Sequence, residues 1–275
     1  FGVDLTGFST RVTQDGSSWN DGDKIGTYVL DMKTLEPVTE AANVPYVCSE
    51  EGASVSFTST TPLKVQNDGT PVKFVAYYPY NADVRNFNYP VQLAAQERGS
   101  TACDLLYAAT KEEYTYSPEN EPHISLNFTH RLAKVILKFV NMEKEPLEVS
   151  DVRIEGMQTA ASFNIQTDVL TVDESSVATI NPYHNATTGF YEAIILPSAL
   201  TDSYKVSFVL DDREKEWIFT NLDIALPQFH KGYSYTFALY IDDSGFVEMG
   251  RLENVEGGNS SAPWEDGSSE DGTAE

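Results

Sequence analysis

The side chains best suited to acid–base or metal chemistry are four histidines and 42 acidic residues. His123, His130, His184 and His230 lie far apart. They lack the close spacing of a metal site or of a nucleophile with its base. His130 follows an apolar strand, where a hydrogen-bonded structural role is expected. The carboxylates are scattered. Asp211, Asp212, Glu214 and Glu216 fall together in a polar hairpin loop and read as a solvated turn. A glycosidase needs two carboxylates converging in one cleft, and nothing singles out a pair. Asn20-Asp21-Gly22-Asp23 offers oxygen ligands but lacks the distal glutamate of a calcium loop, so a turn using Gly22 is expected. G-x-S-x-G, H-E-x-x-H, P-loop and G-x-G-x-x-G patterns are absent. The residues therefore point to no catalytic group, no metal and no cofactor.

Three tyrosines offer a different chemistry. Tyr77, Tyr78 and Tyr80 surround Pro79 at the end of an apolar run and are candidates for stacking against a glycan. Packing at the rim of a sandwich is the competing expectation. Cys48 and Cys103 are too far apart in sequence for a CxxC site or a disulfide framework. Two separate thiols are expected. The formal charge of −24, from 18 basic and 42 acidic residues, predicts repulsion from nucleic acid and from anionic membrane surfaces.

Strands must position these groups, because helix periodicity is scarce. Leu35–Ala42 could supply a turn or two of helix. Alternating or apolar strand runs are many: Ile25–Leu30, Pro45–Cys48, Ser54–Phe57, Leu63–Gln66, Val72–Tyr78, Pro90–Ala94 and Asp104–Ala108. A second set follows at Leu147–Ile154, Ala161–Gln166, Val169–Val172, Val177–Ile180, Phe190–Leu196, Tyr204–Leu210, Glu216–Thr220 and Tyr233–Ile241. From Met249 the chain turns to Gly, Ser, Asn and acid, too poor in apolar residues to order itself alone.

Between the two sets lies Ile124–Val140. Ile124, Leu126 and Phe128 alternate on one parity, and Ala133, Val135, Leu137 and Phe139 on the other. A strand changes its apolar face only through a bulge or a break. The strand count on either side favours a break within Thr129–Leu132. The expected fold is all-β: two tandem β-sandwiches, residues 1–129 and 130–248, with an acidic flexible tail, 249–275.

Several stretches, in order, resemble the fimbrillin-like proteins of Bacteroidales, the type V pilins and their relatives. They are Trp19-x-x-Gly22-Asp23-x-Ile25-Gly26-x-Tyr28, Phe74-x-Ala76-Tyr77-Tyr78-Pro79-Tyr80 and Asp104-Leu105-Leu106-Tyr107-Ala108. Leu126-x-Phe128-x-His130-x-Leu132-Ala133-Lys134, Ala193-Ile194-Ile195-Leu196-Pro197 and Lys231-Gly232-x-x-Tyr235-x-Phe237 continue the series. The resemblance implies transthyretin-like sandwiches, export as a lipoprotein precursor and assembly on the cell surface. It implies cleavage after an Arg or Lys by a trypsin-like protease, and strand addition from the next subunit into the vacated groove.

Arg11 is the matching position for the cut. The family's lipidated cysteine is absent, as expected of a chain that opens at Phe1 after trimming of a leader. Anchoring to the outer membrane would then come only through that trimmed lipid. Val255 and Trp264 are read as the large anchors of the tail's Gly-, Ser- and acid-rich part, a poor donor strand. The expected function is a fimbrial subunit or fimbria-associated surface adhesin, a tip or accessory component rather than a main stalk subunit. Its expected partners are other fimbrial subunits. The alternatives are a surface module that binds glycan or host protein without polymerising, and a hydrolase on a β scaffold.

Overall fold

The computed structural model describes residues 2–4, 7–11, 18–38, 43–66, 68–96, 99–116, 124–142, 148–222, 226–241, 247–253 and 265–266; for 2–11 and 247–266 only the backbone path is described. Strands dominate, with one short 3₁₀ turn at Ser100–Cys103. Residues 35–38 of the expected helical segment form no helix. Pro37 bridges back to Leu30 instead, and 39–42 lie outside the described residues.

The N-terminal half supplies β1 (Gly2–Asp4), β2 (Gly7–Arg11), β3 (Lys24–Asp31), β4 (Val44–Cys48), β5 (Ser54–Thr58) and β6 (Lys64–Gln66). It continues with β7 (Val72–Tyr78), β8 (Asn88–Gln92), β9 (Leu106–Ala109), β10 (Ile124–Asn127) and β11 (Thr129–His130). Eight of these form one sheet in the order β10-β2-β5-β4-β3-β7-β9-β11. β10 and β11 follow each other in the chain yet stand at opposite ends of that order. The sheet is therefore rolled so that its ends meet. Its inside is a core that includes Trp19, Tyr46, Phe57, Phe74, Leu126 and Phe128. Trp19 lies edge-on to Phe57, Tyr78 and Phe128 at centroid distances of 4.8, 5.2 and 5.3 Å.

The C-terminal half supplies β12 (Ala133–Asn141), β13 (Val149–Glu155), β14 (Ala160–Asn164), β15 (Val169–Val172), β16 (Tyr183–Asn185), β17 (Phe190–Ile195) and β18 (Ser198–Ala199). It ends with β19 (Lys205–Leu210), β20 (Arg213–Ile218), β21 (Gln228–Phe229), β22 (Tyr233–Ile241), β23 (Val247–Glu253) and β24 (Glu265–Asp266). A sheet ordered β16-β17-β12-β22-β23, with β24 also on β22, faces a second sheet, β13-β19-β20. Between them lie Val135, Leu137, Phe208, Trp217, Phe219 and Phe237. β19 and β20 join through Asp211 and Asp212, both left-handed at φ 49° and 60°. This is the two-residue turn that suits the twist of a hairpin, tighter than the polar loop Asp211-Asp212-Arg213-Glu214 expected between Leu210 and Glu216.

The chain leaves the eight-stranded sheet at His130 and enters the six-stranded one at Ala133. The parity slip of Ile124–Val140 marks this change of sheet.

The halves are welded rather than strung together. β8 of the first half pairs with β14 of the second, and β15 completes a three-stranded sheet of mixed origin. A third core joins Leu30, Val75 and Tyr107 to Phe163, Ile165 and Ile194. β3 and β7 are consequently buried on both faces: Ile25, Val29, Phe74 and Ala76 face the first core, while Tyr28, Leu30, Val75 and Tyr77 face the third.

Polar contacts lock the same seam. The Gln96 side chain, 2% exposed, donates from Nε2 to the Ile194 carbonyl (2.6 Å) and accepts the Ile194 N–H at Oε1 (2.8 Å). β16 stops pairing at Glu192, and the Gln96 amide serves as a substitute strand for the next hydrogen-bonding position of β17. Arg131 forks onto Asp168, Nε to Oδ1 at 2.5 Å and Nη2 to Oδ2 at 3.0 Å, while its guanidinium lies 4.8 Å from the Tyr107 ring.

β23 pairs with β22 as far as Glu253, with a shift of register between Leu239 and Ile241, so pairing extends past residue 248. The free edge of β22 offers backbone partners that a tail composed of Gly, Ser and acid could not provide for itself.

Candidate functional site

Two features could act on other molecules: the slot of the N-terminal strand, and a cleft at the end of β7.

β2 lies between strands distant in sequence. It runs antiparallel to β5, with Phe8 opposite Phe57, Thr10 opposite Val55 and Arg11 opposite Ser54. It runs parallel to β10, with Phe8 opposite Ile124, Thr10 opposite Leu126 and Arg11 opposite Asn127. Among the described strands, β10 joins the sheet through β2 alone. Val55, Phe57, Ile124 and Leu126 are all 5% exposed or less. Phe8 and Thr10 hold register positions in line with these inward residues. Arg11 is in line with Ser54 and Asn127, which are exposed. Without β2, two rows of backbone N–H and C=O groups and a strip of apolar core would meet water. Each large side chain uncovered would cost about 1.5–3 kcal/mol.

The second feature is a cleft of about 490 Å³ lined by Tyr28, Tyr80, Arg85, Asn86 and Phe87, with Pro37, Asn43, Ala82 and Val84. That volume lies within the ordinary range for small-molecule sites, about 300–1,000 Å³. β3 places Tyr28 there, the segment after β7 places Tyr80, Ala82 and Val84, and the turn Arg85–Asn88 places Arg85, Asn86 and Phe87. Asn88 N–H donates to the Arg85 carbonyl at 2.9 Å, closing the turn. Asn86 and Phe87 are its central residues, both left-handed at φ 49° and 62°, as in a type I′ turn. Asn accepts that conformation readily. Phe accepts it at a cost of about 1–2 kcal/mol. The strained phenylalanine brings its ring to 4.8 Å from Tyr28. Arg85 is fixed by its Nη1, which donates to the carbonyls of Ala82 (2.7 Å) and Val84 (2.9 Å).

Of the three tyrosines expected to touch a glycan, only Tyr80 lines this cleft. Tyr77 has no exposed surface; its hydroxyl donates to Asn43 Oδ1 at 2.6 Å. Its ring lies on Gly26, where an added Cβ would stand 2.2 Å from Cε1. Tyr77 is buried because the second half covers the outer face of β7. Tyr78, half-buried, packs on Trp19 and donates to Asp23 Oδ1 at 3.2 Å. Burial pushes all three of Tyr28, Tyr77 and Tyr78 upward in pKa, Tyr28 to about 12, where the Tyr80 phenol adds to the shift and Arg85 opposes it. Tyr28 and Phe87 were missed in the sequence. The isolated bulky residue after Asn86 in an Arg-Asn-Phe-Asn turn was the one available signal.

The remaining candidates are structural. His130 Nδ1 sits 2.7 Å from Asp104 Oδ2, both nearly buried beside the sheet change. Asn20 to Asp23 form a turn closed by Asn20 N–H donating to Asp23 Oδ2. Cys48 and Cys103 are free thiols.

Comparison with known proteins fits this architecture. A candidate cell adhesion protein from Bacteroides uniformis superposes with a TM-score of 0.74 at 22% identity, covering 90% of this chain and 96% of its own. A candidate cell adhesion protein from Bacteroides ovatus gives 0.67 at 16% identity, covering 92% and 97%. A fimbrial assembly protein from Parabacteroides distasonis gives 0.52 at 10% identity, covering 93% and 100%. No curated protein sequence matches. The fimbrillin-like family model matches residues 10–264, nearly the whole length, and the chain belongs to the fimbrillin-like family.

Proposed function

We propose that this protein is a fimbrial subunit or fimbria-associated adhesin of the cell surface, acting by binding rather than by catalysis. In this reading it assembles by strand exchange after its N-terminal strand is removed. The observation that carries the proposal is the position of β2, inserted between β5 and β10 and closing the eight-stranded sheet. Cleavage after Arg11 would release β1 and β2 and leave a two-sided slot. An extended segment from another subunit, with large apolar residues at the register of Phe8 and Thr10, would restore both ladders by strand addition. Arg11 stands in line with exposed neighbours, where a trypsin-like protease could reach it. An outer-membrane lipid anchor would hold the precursor until the cut.

A tip or accessory position fits better than a main stalk position. β23 and β24 already pair with the chain's own β22, and Val255 and Trp264 are the only large residues between β23 and β24. The whole chain is further proposed to act as two sandwich modules meeting near Thr129–Leu132.

The test is limited trypsin digestion, followed by N-terminal sequencing and light scattering. The expected result is a new N-terminus at Val12 and concentration-dependent association of the trimmed chain, both abolished in Arg11→Ala. A trimmed chain that stays monomeric with its released peptide still bound would overturn the polymerising role.

A further inference from the structure

We propose that the cleft between β3 and the Arg85–Asn88 turn is a binding site for a sugar acid, a saccharide ring carrying a carboxylate. The proposal does not depend on strand exchange, because it is argued from described lining residues at position 28 and between positions 37 and 87, outside β1 and β2.

Three observations converge. First, Tyr28 is 3% exposed and lines the cleft, and its hydroxyl makes no hydrogen bond to another described residue. A phenol on the wall of a cleft can donate to, or accept from, a polar group that enters it. Second, Tyr80 and Phe87 add aromatic surface at the same opening. The apolar C–H face of a sugar ring fits such walls, while Tyr28 and the Asn86 amide supply donors and acceptors for its hydroxyls. Asn43 cannot do so, since its amide is committed to Tyr77 and Asn81.

Third, Arg85 has no acidic partner among the described residues, in a chain where acids outnumber bases 42 to 18. Its Nη1 is used by two carbonyls, which fixes the guanidinium plane. Among the described residues the Nε and Nη2 N–H groups have no acceptor, and they are the pair that grips a carboxylate through two parallel hydrogen bonds. A fixed, unpaired guanidinium beside aromatic walls selects a ligand that is apolar on one face, hydroxylated, and negatively charged at one end. Phe87, held in a conformation costly for a bulky residue, preforms one wall before any ligand arrives.

The test is calorimetric titration of the full chain with glucuronate, N-acetylneuraminate, glucose and acetate. A ligand of a dozen or so heavy atoms predicts a Kd on the order of 1 mM for the sugar acids. Glucose and acetate should each bind at least about tenfold more weakly. Arg85→Gln should weaken the sugar acids by about tenfold. Tyr28→Phe, which removes a hydroxyl that bonds to no other described residue, should weaken them about three- to tenfold without lowering the melting temperature. Equal binding of glucose would indicate a neutral saccharide site, and equal binding of acetate a bare anion site; either overturns the proposal. It also fails if neither sugar acid saturates at tenfold above the expected Kd, or if neither variant weakens binding.

Discussion

Gln96→Ala should loosen the joint between the two halves. The Gln96 amide satisfies both the N–H and the C=O of Ile194, at 2.8 and 2.6 Å. Ile194 pairs with Lys134 across β12. Its polar groups point the other way, toward Gln96, in the non-hydrogen-bonded position of that ladder. β16 ends before it can serve them. Alanine therefore leaves one donor and one acceptor stranded in a closed site. A buried unsatisfied group costs about 1–3 kcal/mol. With partial recovery of the carbonyl, about 2–4 kcal/mol of stability is lost. For a chain of this size, that is a fall of about 5–15 °C in melting temperature. The measurement is thermal unfolding, with amide hydrogen exchange read at Ile194. Gln92→Ala, at an exposed position of β8, serves as the control and should stay within about 0.5 kcal/mol of wild type. A fall below about 2 °C with the Ile194 amide still protected would refute the substitute-strand argument.

Gly26→Ala places a methyl carbon 2.2 Å from Tyr77 Cε1 and must push the ring off its bond to Asn43. It should cost about 2–4 kcal/mol by urea denaturation. Arg131→Lys keeps the charge but loses the two-pronged grip on Asp168; about 1–2 kcal/mol is expected, with faster exchange in the β14–β15 hairpin. Glu155 accepts a hydrogen bond from Ser207 at 2.8 Å and lies 3.3 Å from Lys205, which together hold its carboxyl below the ordinary value of 4.5. A depressed carboxylate contributes stability above its unfolded pKa, and that contribution is lost as pH falls through the folded value. Melting temperature followed from pH 6 down to 3 should therefore decline less steeply in Glu155→Gln than in wild type. Identical acid limbs would count against the pairing.

Much of the strand inventory was legible because a half-buried strand records its environment every second residue. Ser54–Thr58 and Ile124–Asn127 alternate buried and exposed in the structure as they alternate in sequence. Val177–Ile180 misled. Its apolar ends form isolated bridges to Gln158 and Ile154 rather than a strand, since two well-placed residues satisfy a periodic pattern without continuous pairing. β3 and β7 hid their surroundings differently. Strands covered on both faces read as unbroken apolar runs, so nothing in Val72–Tyr78 announced which face met the other half. That ambiguity left Tyr77, Tyr78 and Tyr80 looking equivalent. Packing buried the first, half-covered the second and left only the third on the cleft.

The sequence by itself determined the all-β class, the scarcity of helix and the change of sheet near His130. These follow from local periodicity and from a parity that no single strand can keep. It also carried the family's motifs. Only the tertiary structure decided that β8 pairs with β14, that a third core fuses the halves, and that β2 lies between β5 and β10. Those strand pairings join residues up to 116 positions apart, as Phe8 and Ile124 are, where hydrogen-bonding partners are chosen by shape and register rather than by neighbouring sequence. The cleft arose the same way: Tyr28 and Phe87, 59 residues apart in the chain, became neighbours only when the fold closed around them.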